Sequence, residues 1–267
     1  MAALTPDWET DRRRFAERVG SGAGLAGSSA SGGTGGLADQ RAQIWSPLAG
    51  RFADLGRDVF AERTLRGVVD AVLAVAVRSV PGAEFAALTL TRAGEPLHTA
   101  GTRNAAGGPD ERAAALDDVQ SGAVQGPFHD VSRQSGPGAL ACPDLTGEPA
   151  EFAAAAARCG LRSLGAAGVF PAGGGVRGAL TAYSASPGTF DDSAADRLLV
   201  LACFVAAALG TTDAVTAGEL AQRSITEPVR SSVAIERATA VLVERRGLSP
   251  QDCYDVLRRA TTELVGR

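Results

Sequence analysis

SLGAAGVFPAGGGVRGALTAYSA, running from Ser163 to Ala185, decides the fold class. Two apolar runs of strand length flank Gly173-Gly174-Gly175, and runs of this kind around a glycine turn pair as an antiparallel hairpin. On its N-terminal side EFAAAAARCG predicts a short helix from Glu151, with Gly160 as its stop. On its C-terminal side Asp191 or Asp192 caps a helix that runs to about Leu209.

The same arrangement occurs earlier in the chain. VFAERTLRGVVDAVLAVAVRSV, ending at Val80, places Leu65, Val68, Val69, Val72, Leu73 and Ala76 on one helical stripe, closed by Pro81-Gly82. EFAALTLTRAGEPLHTA, from Glu84 to Ala100, alternates with period two on both sides of a turn at Ala93 to Pro96, which predicts a first hairpin. Pro109 to Gln120 reads as a helix, and the Gly-, Pro-, Ser- and Asp-rich stretch from Ser121 to Pro149 holds one extended candidate near Ala139 to Leu145. The order helix, hairpin, helix, loop, helix, hairpin, helix predicts an α+β fold, an antiparallel sheet with flanking helices.

Residues Gly20 to Gly36 read GSGAGLAGSSASGGTGG, so residues 1–56 are expected to form a flexible N-terminal segment. The tract lacks the Lys-Ser or Lys-Thr of a phosphate loop. A sensor domain is expected over 57–210, a helical linker over 211–229, and a small all-α tail over 230–267.

Composition narrows the function classes. The 267 residues carry a net charge of -4, and all 26 basic residues are arginines, so attraction to a polyanion has to come from a local patch. Cys142, Cys159, Cys203 and Cys253 are widely spaced and the chain has 2 histidines, a poor set for a metal site. No metal and no cofactor are expected. The N-terminus lacks a basic flank followed by an apolar core. The longest apolar stretch, Leu198 to Gly210, is too short to span a bilayer. A cytoplasmic protein with no membrane partner is expected.

The tail carries the strongest local signals. Ala234, Ala238, Val241, Leu242 and Arg245 follow helical spacing, and Gly247 supplies a C-terminal cap. Ser249, Pro250 and Asp252 then mark a second start, and Cys253, Val256, Leu257, Ala260 and Leu264 form an apolar stripe. Between Arg230 and Arg267 stand 7 arginines against 5 acids, a local balance of +2 within an acidic chain. Two short helices bury little on their own, so they need a third helix, a partner chain or their own sensor domain. A homodimer is the simplest supply.

With these residues in view, the chain resembles the actinobacterial GAF sensor domains that are followed by an ANTAR RNA-binding module. DDVQSGAVQGP (Asp117 to Pro127), CPDL (Cys142 to Leu145) and GALTAYSASPGTFDD (Gly178 to Asp192) carry the resemblance to the sensor half. SVAIERATAVLVERRG carries the resemblance to the module through Ile235, Ala238, Leu242, Arg245 and Gly247, with Ala240 in place of the usual Gly and Val243 in place of Met. SPQDCYDVLRRA follows with Cys253-Tyr254 in place of Ala-Phe, then Leu257-Arg258. Thr239 stands where a basic residue is often seen, and the family's third helix finds no counterpart before Arg267. The resemblance implies a GAF-like sensor and a shortened ANTAR-like tail. It further implies a dimeric transcription antitermination regulator that binds paired RNA stem-loops, not DNA.

Guanidinium groups fork onto phosphates and an aromatic ring stacks on splayed bases, so Arg237, Arg245, Arg246, Arg258, Arg259 and Tyr254 are the expected RNA contacts. A solvated helix face with Tyr254 half in the core is the alternative reading of the same residues. In the sensor half, Phe85, Leu88, Phe128, Leu140, Leu145, Phe170 and Tyr183 mark a region where a small-molecule ligand would lie, and each also suits ordinary core. No catalytic residue is expected: no basic cluster adjoins Cys142, and a helix C-terminus disfavours a thiolate at Cys159. The rival to RNA regulation is a ligand-sensing or protein-interaction module whose shortened tail only dimerises or docks.

Overall fold

The computed structural model describes residues 7–21, 46–61, 64–92, 95–102, 111–112, 115–116, 119, 126–133, 138–171, 175–210 and 231–266. The elements in chain order are α1 (Trp8–Gly20), α2 (Pro47–Val59), α3 (Leu65–Ser79), β1 (Phe85–Arg92), β2 (Glu95–Gly101), α4 (Pro127–Ser132), β3 (Ala139–Cys142), α5 (Ala150–Arg158), β4 (Ser163–Val169), β5 (Val176–Ser184), α6 (Asp192–Leu209), α7 (Ser231–Arg246) and α8 (Pro250–Val265). The fold is α+β, around a five-stranded sheet of order β2-β1-β5-β4-β3 with every neighbouring pair antiparallel.

Both expected hairpins form, β1 with β2 and β4 with β5. They join through the central pair β1–β5, in register from Phe85 opposite Tyr183 to Arg92 opposite Val176. Gly178 makes that pairing close. A Cβ there would lie 2.3 Å from the Thr89 carbonyl oxygen and 2.6 Å from Leu90 Cδ2.

Strand alternation sorts the sheet residues between two cores. Phe85 and Ala87 of β1, Leu164 and Ala166 of β4, and Ala179 and Tyr183 of β5 pack with Phe128, Leu145 and Phe152. Ala86, Leu88 and Leu90, Ala167 and Val169, and Leu180 and Ala182 point the other way, into the larger core. That core contains α6, whose residues from Ala194 to Leu209 are all buried. Apart from Asp196 and Arg197 that stretch is almost wholly apolar, and such a helix belongs inside. It lies between the sheet and the helices α3, α7 and α8. Among the described residues no helix is long and apolar enough to cross a membrane.

The N-terminal segment departs from expectation. Two helices form where a flexible segment was predicted, although most of the Gly/Ser tract lies outside the described residues. Asp7 caps α1 by accepting from the Thr10 N–H, and Ser46 with Pro47 starts α2. On α2, Leu48, Phe52, Leu55 and Val59 are buried at helical spacing, and on α1 Phe15 reaches the same core. The reason is tertiary: α1 and α2 bury their stripes against α8 and α7. The expected helix at Pro109 to Gln120 and the linker over 211–229 fall largely or wholly outside the described residues.

Candidate functional site

The two expected tail helices form as α7 and α8. Gly247, at φ +63, ends α7 in an αL stop, its N–H donating to the Val243 carbonyl at 3.1 Å. Ser249 caps α8 by accepting from the Asp252 N–H at 3.2 Å, with Pro250 in the first turn. Cys253, Leu257, Ala260 and Leu264 are buried along one stripe, and Ala234, Ala238 and Leu242 answer them on α7.

The surface these helices bury belongs to the rest of the chain. Residues of α7 and α8 share one continuous core with α1, α2, α3 and α6. The need for a partner surface, read from the short stripes, is therefore met within the chain. Gly138 at the start of β3 clears space for α7: it adopts φ +77, and a Cβ there would lie 2.4 Å from Val241 Cγ1. Gly210 does the same for Arg237, whose Nη2 lies 3.1 Å from the Cβ position.

All the residues expected to contact RNA are brought to these interfaces. Arg246 pairs with Asp196 Oδ1, and Arg259 donates to Asp196 Oδ2 at 2.7 Å. Asp196, on α6, is 1% exposed. Arg237 donates from Nη1 to the Phe170 carbonyl at 2.7 Å, while its buried Nε has no hydrogen-bond partner. Arg245 donates to the Arg133 carbonyl at 2.6 Å and lies 3.9 Å from the centre of the Phe170 ring. Burial lowers the pKa of both Arg237 and Arg245. Arg258 sits over Trp8 at 5.7 Å.

Tyr254 lies inside the interface, as in the alternative reading of the same residues. Expected as a stacking platform, it is 1% exposed, tilts against Phe15 at 5.5 Å and donates its hydroxyl to Asp11 Oδ2 at 2.8 Å. Burial, then the Asp11 carboxylate, raises its pKa. Asp11 also accepts from the Ser46 hydroxyl at 2.9 Å and from the Leu48 N–H at 3.0 Å, so one carboxylate ties α1, α2 and α8 together. Arg197 of α6 and Glu263 of α8 add an ion pair at 2.6 Å. Asp11, Asp196 and Trp8 are sites that the sequence reading missed. An acid inside an apolar helix, as Asp196 is in DSAADRLLVLACF, is the one signal that was legible.

The expected ligand region divides. Phe85, Phe128, Leu145 and Tyr183 meet in the smaller core, with Leu140 packed against it. Phe85 and Tyr183 stack on each other at 4.7 Å. Leu88 is corrected to the opposite face, because it differs from Phe85 by an odd number of strand positions. Phe170 lies instead under Arg245.

Three of the cysteine thiols are raised above their ordinary value. Burial and a hydrogen bond to Glu148 at 3.2 Å push the Cys142 thiol up to about 12. Burial alone does the same at Cys203. Burial with the Asp252 charge raises Cys253 to about 11. Among the described residues no group of three or more His, Cys, Asp or Glu side chains is placed to hold a metal.

No family model and no curated protein matches this chain. Among solved structures it is similar to the N-acylhomoserine lactone-dependent LuxR-family transcription factor CepR2 from Burkholderia cenocepacia. The TM-score is 0.41 at 16% identity, over 59% of this chain and 91% of that one. A likeness of this size identifies neither family nor activity.

Proposed function

We propose that this chain is a signal-responsive regulator of the GAF–ANTAR type, in which the sheet domain senses and the α7–α8 pair binds RNA when it leaves the sheet domain. The observation behind the reading is the tail's cation set. Arg237, Arg245, Arg246, Arg258 and Arg259 are each engaged by an acceptor or ring outside α7–α8. A basic helical pair held in this way is suited to exchange internal partners for phosphates. The helix–hairpin–helix order on an antiparallel sheet agrees with the GAF-like expectation, and the face built from Phe85, Phe128, Leu145 and Tyr183 is where a small ligand would act. Two chains with released tails would present paired basic helices to paired stem-loops and disfavour a terminator hairpin.

A second reading has its own support. Tyr254 and the α7–α8 stripe are buried in a core shared with α6, as expected of a helical pair that completes the sensor and takes no part in RNA binding. The test is a titration of the full chain against a synthetic two-stem-loop RNA, with particle size measured at each concentration. The first reading expects a complex that weakens steeply with salt and with Arg258→Ala. Binding independent of Arg245 and Arg258, or no binding at all, would leave the second.

A further inference from the structure

Asp196 stands apart from the other partners of the tail. It engages both tail helices, through Arg246 of α7 and Arg259 of α8, and it uses a different carboxylate oxygen for each. The side chain is 1% exposed, whereas Arg246 is 26% and Arg259 50% exposed. A buried carboxylate depends on its counter-charges, while a half-exposed arginine can keep water or another anion. The dependence runs from the sensor side.

Two guanidinium groups converging on the two oxygens of one anion form a fork that also fits the two non-bridging oxygens of a phosphodiester. Resting on the GAF–ANTAR reading above, we infer that Asp196 is an internal stand-in for RNA phosphate. While it occupies the Arg246–Arg259 fork the tail stays docked, and an RNA phosphodiester competes for the same fork. Asp196 is also placed to respond to the sheet. Two residues on, Leu198 Cδ1 lies 3.0 Å from where a Cβ on Gly165 of β4 would be, so α6 rests directly on β4, whose Leu164 and Ala166 face the smaller core. Arg197, between them, pairs with Glu263 of α8. A shift of β4 against α6 reaches the fork through one packed contact.

The experiment compares the full-length wild type with Asp196→Asn, Asp196→Glu and Arg259→Ala. Hydrogen exchange is followed in peptides covering 231–266 and 176–184, and anisotropy is measured with the two-stem-loop RNA. Expected for Asp196→Asn is exchange in α7 and α8 faster by about tenfold with β5 unchanged, and RNA affinity raised by a similar factor. Asp196→Glu keeps the charge and should stay near wild type. Adding Arg259→Ala to Asp196→Asn should cancel the gain in RNA affinity. Unchanged tail exchange in Asp196→Asn overturns the clasp whatever the RNA result. Faster tail exchange without RNA binding by any variant overturns the phosphate competition together with the RNA reading, and leaves a mechanical hold. If Asp196→Asn does not fold, Arg259→Ala carries the exchange test. Its half-exposed side chain can be removed without opening the core, and unchanged exchange there overturns the clasp equally.

Discussion

Asp11 shows how much one buried carboxylate organises in this molecule. It accepts from the Ser46 hydroxyl, the Leu48 amide and the Tyr254 hydroxyl, three donors from two helices far apart in sequence. Tyr254→Phe removes one donor and keeps the ring, and should cost about 1 kcal/mol. Asp11→Ala strands the Leu48 N–H and the Tyr254 hydroxyl and should cost about 3 kcal/mol. Urea denaturation of the two variants beside wild type checks both values, and an equal loss would show that the Tyr254–Asp11 hydrogen bond alone carries the effect. The raised thiols give a pH dependence of definite sign. Cys203 keeps its proton to about 12 when folded, against an ordinary value of 9.0, so the folded state holds a proton that the unfolded chain releases. Its contribution is complete below 9.0 and is lost as pH rises through that interval toward about 12. Denaturation midpoints should therefore be flat near neutral pH and fall above it, less steeply in Cys203→Ala. Alkylation mapped by mass spectrometry should find Cys142 and Cys203 unreactive near neutral pH, and rapid modification of Cys142 would contradict its surroundings.

At the scale of elements, the contacts of α7 and α8 depend on small residues and caps. Gly138→Ala places a side chain on a left-handed backbone and against Val241, and should cost at least about 1–2 kcal/mol. Faster hydrogen exchange in α7 and β3 together would confirm that the loss falls at their contact. Ser249→Ala removes the α8 cap and should cost about 1 kcal/mol, read as fraying of the first turn around Asp252 and Cys253. These caps were legible because they are local: Ser249-Pro250, Gly247, Asp191 and Gly160 each act within a few residues. The helices α1 and α2 were not read, though α2 carries Ser46-Pro47 and a stripe of Leu48, Phe52, Leu55 and Val59. A neighbouring glycine-rich tract and the arginines of α1 masked a pattern that only the α7 and α8 surfaces make stable. In the candidate site, Arg246 and Arg259 were legible as cations at helical spacing. Their shared partner was not, because Asp196 lies 50 and 63 residues away.

For the whole molecule, the sheet domain and the C-terminal helices share one core, and they should unfold together. Leu242, fully buried on α7, lies in the same core as Phe204 of α6 and Phe52 of α2. Leu242→Ala should lower stability by about 3 kcal/mol. Tail and sheet should still lose structure in a single transition, tracked by circular dichroism and by exchange of peptides from β5 and α8. Separate transitions would show that the docked tail adds nothing to the stability of the shared core, whereas rare undocking of α7 and α8 below the global transition is compatible with a single one.

Patterns with a short reach were determined by the sequence alone. Alternation set the two hairpins, the 3.6-residue period set α3, α6, α7 and α8, and the α+β class followed from their order. Tertiary structure alone decided which surfaces those elements meet. Packing of helices on the two faces of the sheet decided which core Phe85 and Leu88 each enter, and packing against α1 buried Tyr254. The convergence of α6, α7 and α8 placed two arginines on Asp196. The physical reason is range: caps and periodicity act through neighbours along the chain, whereas the partner of a charge or an apolar stripe is chosen by whichever distant segment buries it at least cost.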